Sequence, residues 1–334
     1  MEAAWVSRPN NKINFFSHIN SFLKQKYNQL MTMRRSREAL SGLLLVSIAV
    51  AFNMFFGYFA ALFAVYLSFF KWDYLGPMQF AGLYNYQVLF NDLVRGFNGA
   101  PYFLAPFFTG LRNILLYTAI VVPTQTILAM ILAAFANQKI KGVQFYKVSY
   151  FLPAVTCPVI VSLIFIWLFM KYGFINYMLQ FIAPGFAPDW INDKNYLLYA
   201  IAIVAIWGTS GHFMVSFLAA MQSIPRDIYE AAMLDGAGSI RRFMYITVPM
   251  LKPMIIYVVV MGLIGTLQMF DLAWVMAGPS GGPGGSGYTM ALDIYKEAFI
   301  NLRPGVAAAK SMFLFSLIFI STYIFQKKFK VMPR

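Results

Sequence analysis

Two serines sit where the surrounding residues could make them nucleophiles. Ser210 lies in Gly208-Thr209-Ser210-Gly211-His212, and Ser280 lies in Gly278-Pro279-Ser280-Gly281-Gly282, which fits the Gly-x-Ser-x-Gly pattern. Either would attack an acyl group if a base reached its hydroxyl. Ser210 and His212 are two positions apart, about 200° around a helix, so they point to opposite sides and cannot form that pair. Ser280 stands in the glycine-rich run from Gly278 to Gly287, without the strand before and helix after that a nucleophile elbow requires. The other histidine, His18, is remote in the N-terminal arm. The lone cysteine, Cys157, allows no intrachain disulfide and no Cys-x-x-Cys site, and reads as a small apolar packing residue. Hydrolysis, redox and thiolate metal chemistry are set aside on these grounds.

A different stretch carries a mechanical pattern. Between two apolar runs lies the segment from Ile224 to Gly238, in which Asp227 is placed as a helix N-cap with Glu230 three residues on, as in a capping box. Gly236 or Gly238 can take the left-handed conformation that ends such a helix. The result is a helix of about two turns. Ala231 and Ala232 give it a low profile suited to a groove on another protein; the alternative is a compact interhelical loop.

The elements that hold this segment are set by composition. The chain has 334 residues, of which 60% are hydrophobic, 18% aromatic and 11% charged, too little polar surface to clothe a soluble globule. Runs of the roughly 20 apolar residues needed to cross hydrocarbon occur at 40–70, 111–136, 148–170, 197–221, 254–270 and 307–325. Peptide groups cannot go unpaired in lipid, so these are helices, and an all-α integral membrane fold follows. Pro123, Pro153 and Pro158 each remove a backbone donor, and kinks or unwound turns are expected there.

The charge of +14 tracks the spans. Residues 1–39, 139–147 and 226–252 and the tail from Lys327 hold 18 of the 26 Lys and Arg with 5 acids, while the other face gets the remaining 8 with 7 acids. This positive-inside asymmetry puts both termini in the cytoplasm and argues against a nucleic-acid partner, whose face would not follow the spans. In the arm, Ile13, Phe16, Ile19, Leu23, Tyr27 and Leu30 recur at helical spacing between lysines, a basic amphipathic helix for the headgroup layer. The first apolar run is too long, and too far behind this arm, for a cleavable signal peptide. Outside, the connection 171–196 should hold a short helix over 174–182, and the run from Gly278 to Gly287 reads as a flexible link without a packed core.

The run Glu230-Ala231-Ala232-Met233-Leu234-Asp235-Gly236-Ala237, followed by Phe243, Ile246, Pro249, Leu251 and Pro253, resembles the EAA motif of binding-protein-dependent ABC importer permeases. Ser68-Phe69-Phe70-Lys71-Trp72, Phe80-Ala81-Gly82-Leu83-Tyr84-Asn85-Tyr86, Phe151-Leu152-Pro153 and Phe270-Asp271-Leu272-Ala273 extend the likeness over about residues 40–330, and specifically to the carbohydrate branch with the maltose, glycerol-3-phosphate and oligosaccharide permeases. The resemblance implies a type I permease fold, five core helices wrapped by the first, in a bacterial inner membrane. It implies a heterodimer with a second permease, two ATPase subunits and an external solute-binding protein. Glu230, Ala231, Ala232, Leu234, Asp235, Gly236 and Ala237 would then dock on the ATPase. Trp207, Thr209 and His212 on the fourth span, with Gly262, Thr266, Gln268 and Met269 on the fifth, would line the path of a sugar-type solute. The chain itself would bind no cofactor; ATP and Mg belong to the ATPase subunits, since no G-x-x-x-x-G-K-[ST] loop is present here. The rival reading, a secondary transporter, would need inverted repeats and coupling-ion carboxylates inside the membrane, and neither is visible in the sequence.

Reporter fusions should read cytoplasmic at residues 140, 240 and 334, and external at 90, 190 and 285. An external signal at 240 would remove the segment 224–249 from any cytoplasmic partner.

Overall fold

The structure, a computed structural model, describes residues 39–138 and 141–328, together with Lys24 and Lys26. The amphipathic arm therefore lies outside the described residues apart from its last position and those two lysines. The chain divides after Phe63 into two units. Through the division runs helix α1 (Ala39–Leu67), whose 29 residues exceed what a span needs. It carries one π-helical turn, Met54–Phe59.

After α1 the second unit opens with a two-strand antiparallel ladder, β1 (Phe70–Lys71) and β2 (Gln79–Phe80), with Phe70 opposite Phe80. Helix α2 (Tyr84–Phe97) follows. Asn85 ties it to the ladder, its Nδ2 donating to the Ser68 and Phe70 carbonyls at 2.9 and 2.8 Å. Asp92 ties it to the next helix, α3 (Pro106–Ala136), by accepting from the Phe107 and Phe108 amides. A carboxylate at a helix N-terminus satisfies donors that have no intrahelical partner. Burial raises the Asp92 carboxyl above its usual range, against the pull of the Phe108 amide and the Lys310 charge.

The prolines act differently from one another. Helix α3 continues through Pro123 without a break. In the turn after the missing amide, the Thr124 and Thr126 hydroxyls donate to the Ile120 and Val122 carbonyls, each at 2.7 Å. Neighbouring helices and side-chain donors let a membrane helix tolerate proline. The third run does break: α4 (Val143–Val155) and α5 (Pro158–Leu168) meet at 102°. Cys157, preceding Pro158, is forced to an extended ψ of 128°. The break leaves its thiol exposed in this chain, so the packed position expected from the sequence is corrected.

Helix α6 (Phe174–Ile182) coincides with the short outer helix expected there. Asn176 holds it down, donating to the Lys171 and Pro188 carbonyls and accepting from Trp190 Nε1 at 2.8 Å. Helix α7 (Leu197–Gln222) is a straight span that packs along α3. Then come α8 (Arg226–Leu234), α9 (Ser239–Met250) and α10 (Lys252–Leu267), the last two bent by 68° at Leu251, just before Pro253. Helices α11 (Asp271–Ala277), α12 (Met290–Tyr295) and α13 (Pro304–Lys328) complete the unit. Among the described residues, four helices are long and apolar enough to span, or up to six if each bent pair is one span.

Between α11 and α12 the glycine-rich run is not the flexible link its composition suggested. Asn113 of α3 donates to the Gly285 and Tyr288 carbonyls at 2.8 and 3.0 Å, and the Tyr288 ring is 2% exposed. Bare backbone permits the close packing: a Cβ at Gly110 of α3 would overlap the Thr289 and Met290 backbone, and one at Gly285 would overlap the Tyr102 ring. One core gathers Ile114, Tyr117, Ile201, Val204, Met269 and Leu314, and a second gathers Ala133, Phe217, Met221, Leu251 and Val258.

An ion cluster closes the first core. Lys310 Nζ of α13, 2% exposed, contacts Asp293 Oδ2 at 2.5 Å and Glu297 Oε1 at 3.0 Å. Tyr288 donates to Asp293 Oδ1 at 2.9 Å, and Arg303 pairs with Glu297 at 2.8 Å. Removing one member of a buried pair strands the other charge. Lys310→Ala should therefore destabilise the protein by about 3–5 kcal/mol in thermal unfolding, whereas Lys310→Met combined with Asp293→Asn and Glu297→Gln should recover most of it.

Candidate functional site

Two features could do work, a cavity among the spans and an exposed helix at the opposite end of α7. The cavity holds about 280 Å³, near the lower end for small-molecule pockets. Its wall is built where helices start and stop: Pro158 opens α5, Gln268 to Phe270 follow the end of α10, and Asp271 begins α11. Tyr117, Val121 and Gln125 of α3 and Ala205, Thr209 and Phe213 of α7 supply the other side.

Among the sequence-derived path residues, Thr209, Gly262, Thr266, Gln268 and Met269 share this wall. Trp207 and His212 do not. Trp207 stands edge-on to Phe165 with ring centroids 5.2 Å apart and is 47% exposed. It lies two residues before Thr209, and the same 200° that separates Ser210 from His212 turns it away. His212 is exposed, one turn along from Thr209, against the Phe213 ring.

Some of the wall's polar groups are already committed within the protein. Thr266 Oγ1 donates to the Gly262 carbonyl at 2.8 Å, and the Met269 carbonyl accepts from Thr289 Oγ1 at 3.0 Å. Thr289 in turn accepts from the Leu292 amide, capping α12 and fixing the unwound end of α10 to it. Gln125 was not among the sequence-derived residues. Its Oε1 lies 2.6 Å from Thr209 Oγ1, joining α3 to α7. The available signal was a solitary glutamine near the middle of a mainly apolar span, a residue type that is costly in lipid unless it faces protein or a cavity.

The exposed helix is α8. No residue in it is buried, and Leu234 and, beyond it, Ile240 are 90% and 81% exposed. Its start corrects the expected capping box: Pro225 occupies the N-cap, Asp227 lies in the first turn, and no side-chain cap bond forms. Proline supplies the helix-entry geometry that Asp227 was expected to supply. Its end follows the expectation. Gly236 has φ +73°, its amide donates to Met233 O, and the Ala237 amide donates to Ala232 O. That pair of bonds is the Schellman arrangement. Glu230, Ala231, Leu234, Asp235 and Gly236 are all exposed, and Ala232 and Ala237 are half-buried. Tyr229 Oη and Thr247 Oγ1, 2.8 Å apart, tie α8 to α9.

Residues 100–330 match the family described as binding-protein-dependent transport system inner membrane component. The sulfoquinovosyl glycerol transport system permease protein of Agrobacterium fabrum is 35% identical over 291 residues, 85% of this chain and 89% of that protein. The arabinooligosaccharides transport system permease protein of Bacillus subtilis is 29% identical over 293 residues, 86% and 88% of the two chains. Among solved structures, the bacterial alginate ABC transporter in complex with its alginate pentasaccharide-bound periplasmic protein contains a chain that superposes with a TM-score of 0.71. The match has 19% identity and covers 87% of this chain and 94% of that one.

At Gly262 in the cavity wall an added Cβ would overlap the Gln125 amide. Gly262→Ala should lower thermal stability at the low end of the about 1–3 kcal/mol typical of overpacking, since the amide end of Gln125 can shift, and Gln125→Ser in the same chain should relieve it. Additive losses in the two single variants and the double variant would contradict the contact.

Proposed function

Because the chain belongs to the family of binding-protein-dependent transport system inner membrane components, we propose that it is one permease subunit of an importer that carries a sugar, an oligosaccharide or a related polyol across a bacterial cell membrane. The observation that carries this reading is α8: a short, rigidly terminated helix between two spans, exposing apolar side chains that the described residues do not cover. A second protein is the natural cover for Leu234 and Ile240. In this reading that protein is an ATPase subunit, ATP and Mg act there, and a second permease, a second ATPase and an external solute-binding protein complete the assembly. Both termini and α8 face the cytoplasm, in keeping with the charge asymmetry.

The solute class is supported by the substrates named for the relatives and by the cavity, where Tyr117, Phe213 and Met269 stand beside Thr209 and Gln268. Apolar and hydrogen-bonding side chains together suit a ligand with C–H faces and many hydroxyls. Trp207 and His212, outside that wall, would serve the path only where it continues toward the partner permease.

Coupling needs α8 to move as a body with the spans. The Schellman turn, the Tyr229–Thr247 contact and the break at Leu251 give it a fixed shape on a bent support. A partner's movement then biases the spans between two states only if its contacts with α8 differ between them.

Gly236→Val places a β-branched residue in left-handed backbone at about 1–3 kcal/mol, comparable with a typical allosteric coupling energy. Ala232→Trp obstructs the low-profile face. Both variants should insert and pair with the second permease yet lose ATPase association in co-purification and lose solute-stimulated ATP hydrolysis, while Lys328→Ala changes neither. Normal coupled hydrolysis in both loop variants would sink the reading of α8.

A further inference from the structure

One polar atom of the cavity wall is unaccounted for. Gln125 is 1% exposed, and one end of its amide meets Thr209 while the other, Nε2, has no hydrogen-bond partner. That end lies against Gly262 of α10, where an added Cβ would overlap it. Nearly all buried polar groups are paired, so an unpaired amide here marks a partner supplied from elsewhere.

We propose that Gln125 contacts the solute directly and helps to select it, its free amide end taking a hydroxyl group of a polyhydroxylated ligand. The proposal rests on the importer reading and adds to it a residue from a span that had supplied no solute contact. The chemistry of the Thr209 contact favours a hydroxyl in particular. Thr209 Oγ1 lies 2.7 Å from the Ala205 carbonyl and 2.6 Å from the Gln125 amide, and it has one proton to give. If the proton goes to Gln125, the free end of the amide is its NH2; if it goes to Ala205, the amide turns to donate to Thr209 and its free end is the carbonyl oxygen. A hydroxyl donates and accepts, so it satisfies both arrangements. A carboxylate would meet only the first and an ammonium only the second.

The surroundings agree with such a ligand. Gln125 shares the wall with Tyr117, Phe213 and Met269, which offer apolar surface to C–H faces. In the present conformation α10 closes over the free end at Gly262, so the contact forms when α10 draws back from α3. A solute that pairs with Gln125 only in that state binds it preferentially, and differential contact of this kind is what allows a ligand to shift a conformational equilibrium.

The test uses the intact importer, with its own partner subunits and binding protein, in proteoliposomes, measuring ATP-driven uptake of sulfoquinovosyl glycerol and arabinotriose per assembled complex. Uptake of either probe by the native chain supports the importer reading; uptake of neither overturns that reading and this proposal with it. On the carried probe, Gln125→Met should lower uptake about ten-fold, the scale of one lost hydrogen bond. Gln125→Glu, which keeps an acceptor for Thr209 but loses the amide, should also lower it, so poor assembly of the methionine variant leaves the test in place. Monodeoxy analogues of the carried probe separate contact from scaffolding. For the native chain one deoxy position should reduce uptake about ten-fold, and in the Gln125 variants that penalty should vanish. Equal reductions for parent and analogues, or native uptake in both variants, would overturn the contact while leaving the importer reading standing.

Discussion

Hydrocarbon offers a peptide group no hydrogen-bond partner, so backbone in the bilayer must be helical unless protein or a water-lined cavity surrounds it. Much of this architecture follows from where that rule is kept and where it is relaxed. Helices α3, α7 and α13 run unbroken. The interrupted backbone at Thr156–Cys157, at Leu251 and at Gln268–Phe270 is confined to a few turns. Two of those breaks border the same 280 Å³ cavity, through Pro158 on one side and Gln268 to Phe270 on the other. The place where the chain forgoes regular structure is thus also where polar backbone and side chains can meet a solute.

Near the ends of the spans and in their connections, single polar side chains add to the work that lipid exclusion does within them. Asn85, Asp92, Asn113 and Asn176 each bond backbone groups of another segment, fastening the ladder, the start of α3, the glycine-rich run and α6 respectively. The Lys310 cluster does the same for α12 and α13 with charge. A satisfied buried network of this kind holds a unique arrangement at the cost of desolvating its members, and removing any one member exposes that cost. The ends of the spans are therefore positioned by directional contacts, and α8 is joined to this rigid body through α7 and α9.

Much of this was legible without coordinates, for identifiable reasons. Span positions follow from the minimum length of apolar helix, and the positions of α7 and α13 agree with the runs at 197–221 and 307–325 to within a few residues. The end of α8 at Gly236 was legible because positive φ narrows the choice to glycine, and the outer helix at 174–182 because Gly173 and Pro184 bracket it. These are local rules, in which neighbours along the chain determine the outcome.

The remainder depended on neighbours in space. Local pattern favoured Asp227 as the cap of α8, but the turn from α7 brought Pro225 to that position. Glycine content suggested mobility between Gly278 and Gly287, whereas Asn113, more than 160 residues earlier, holds that run in place. Composition placed Lys310 with the outward-facing charges; packing of α13 on α12 buried it with Asp293 and Glu297. Gln125 and Thr209 are 84 positions apart, so only the contact of α3 with α7 makes them one group. Sequence by itself determined the apolar runs long enough to cross a membrane and the exposed helix, because hydrophobic length, charge and backbone conformation are properties of contiguous residues. Tertiary structure decided which polar side chains meet and which remains unpaired, because hydrogen bonds between distant segments exist only once the spans have packed.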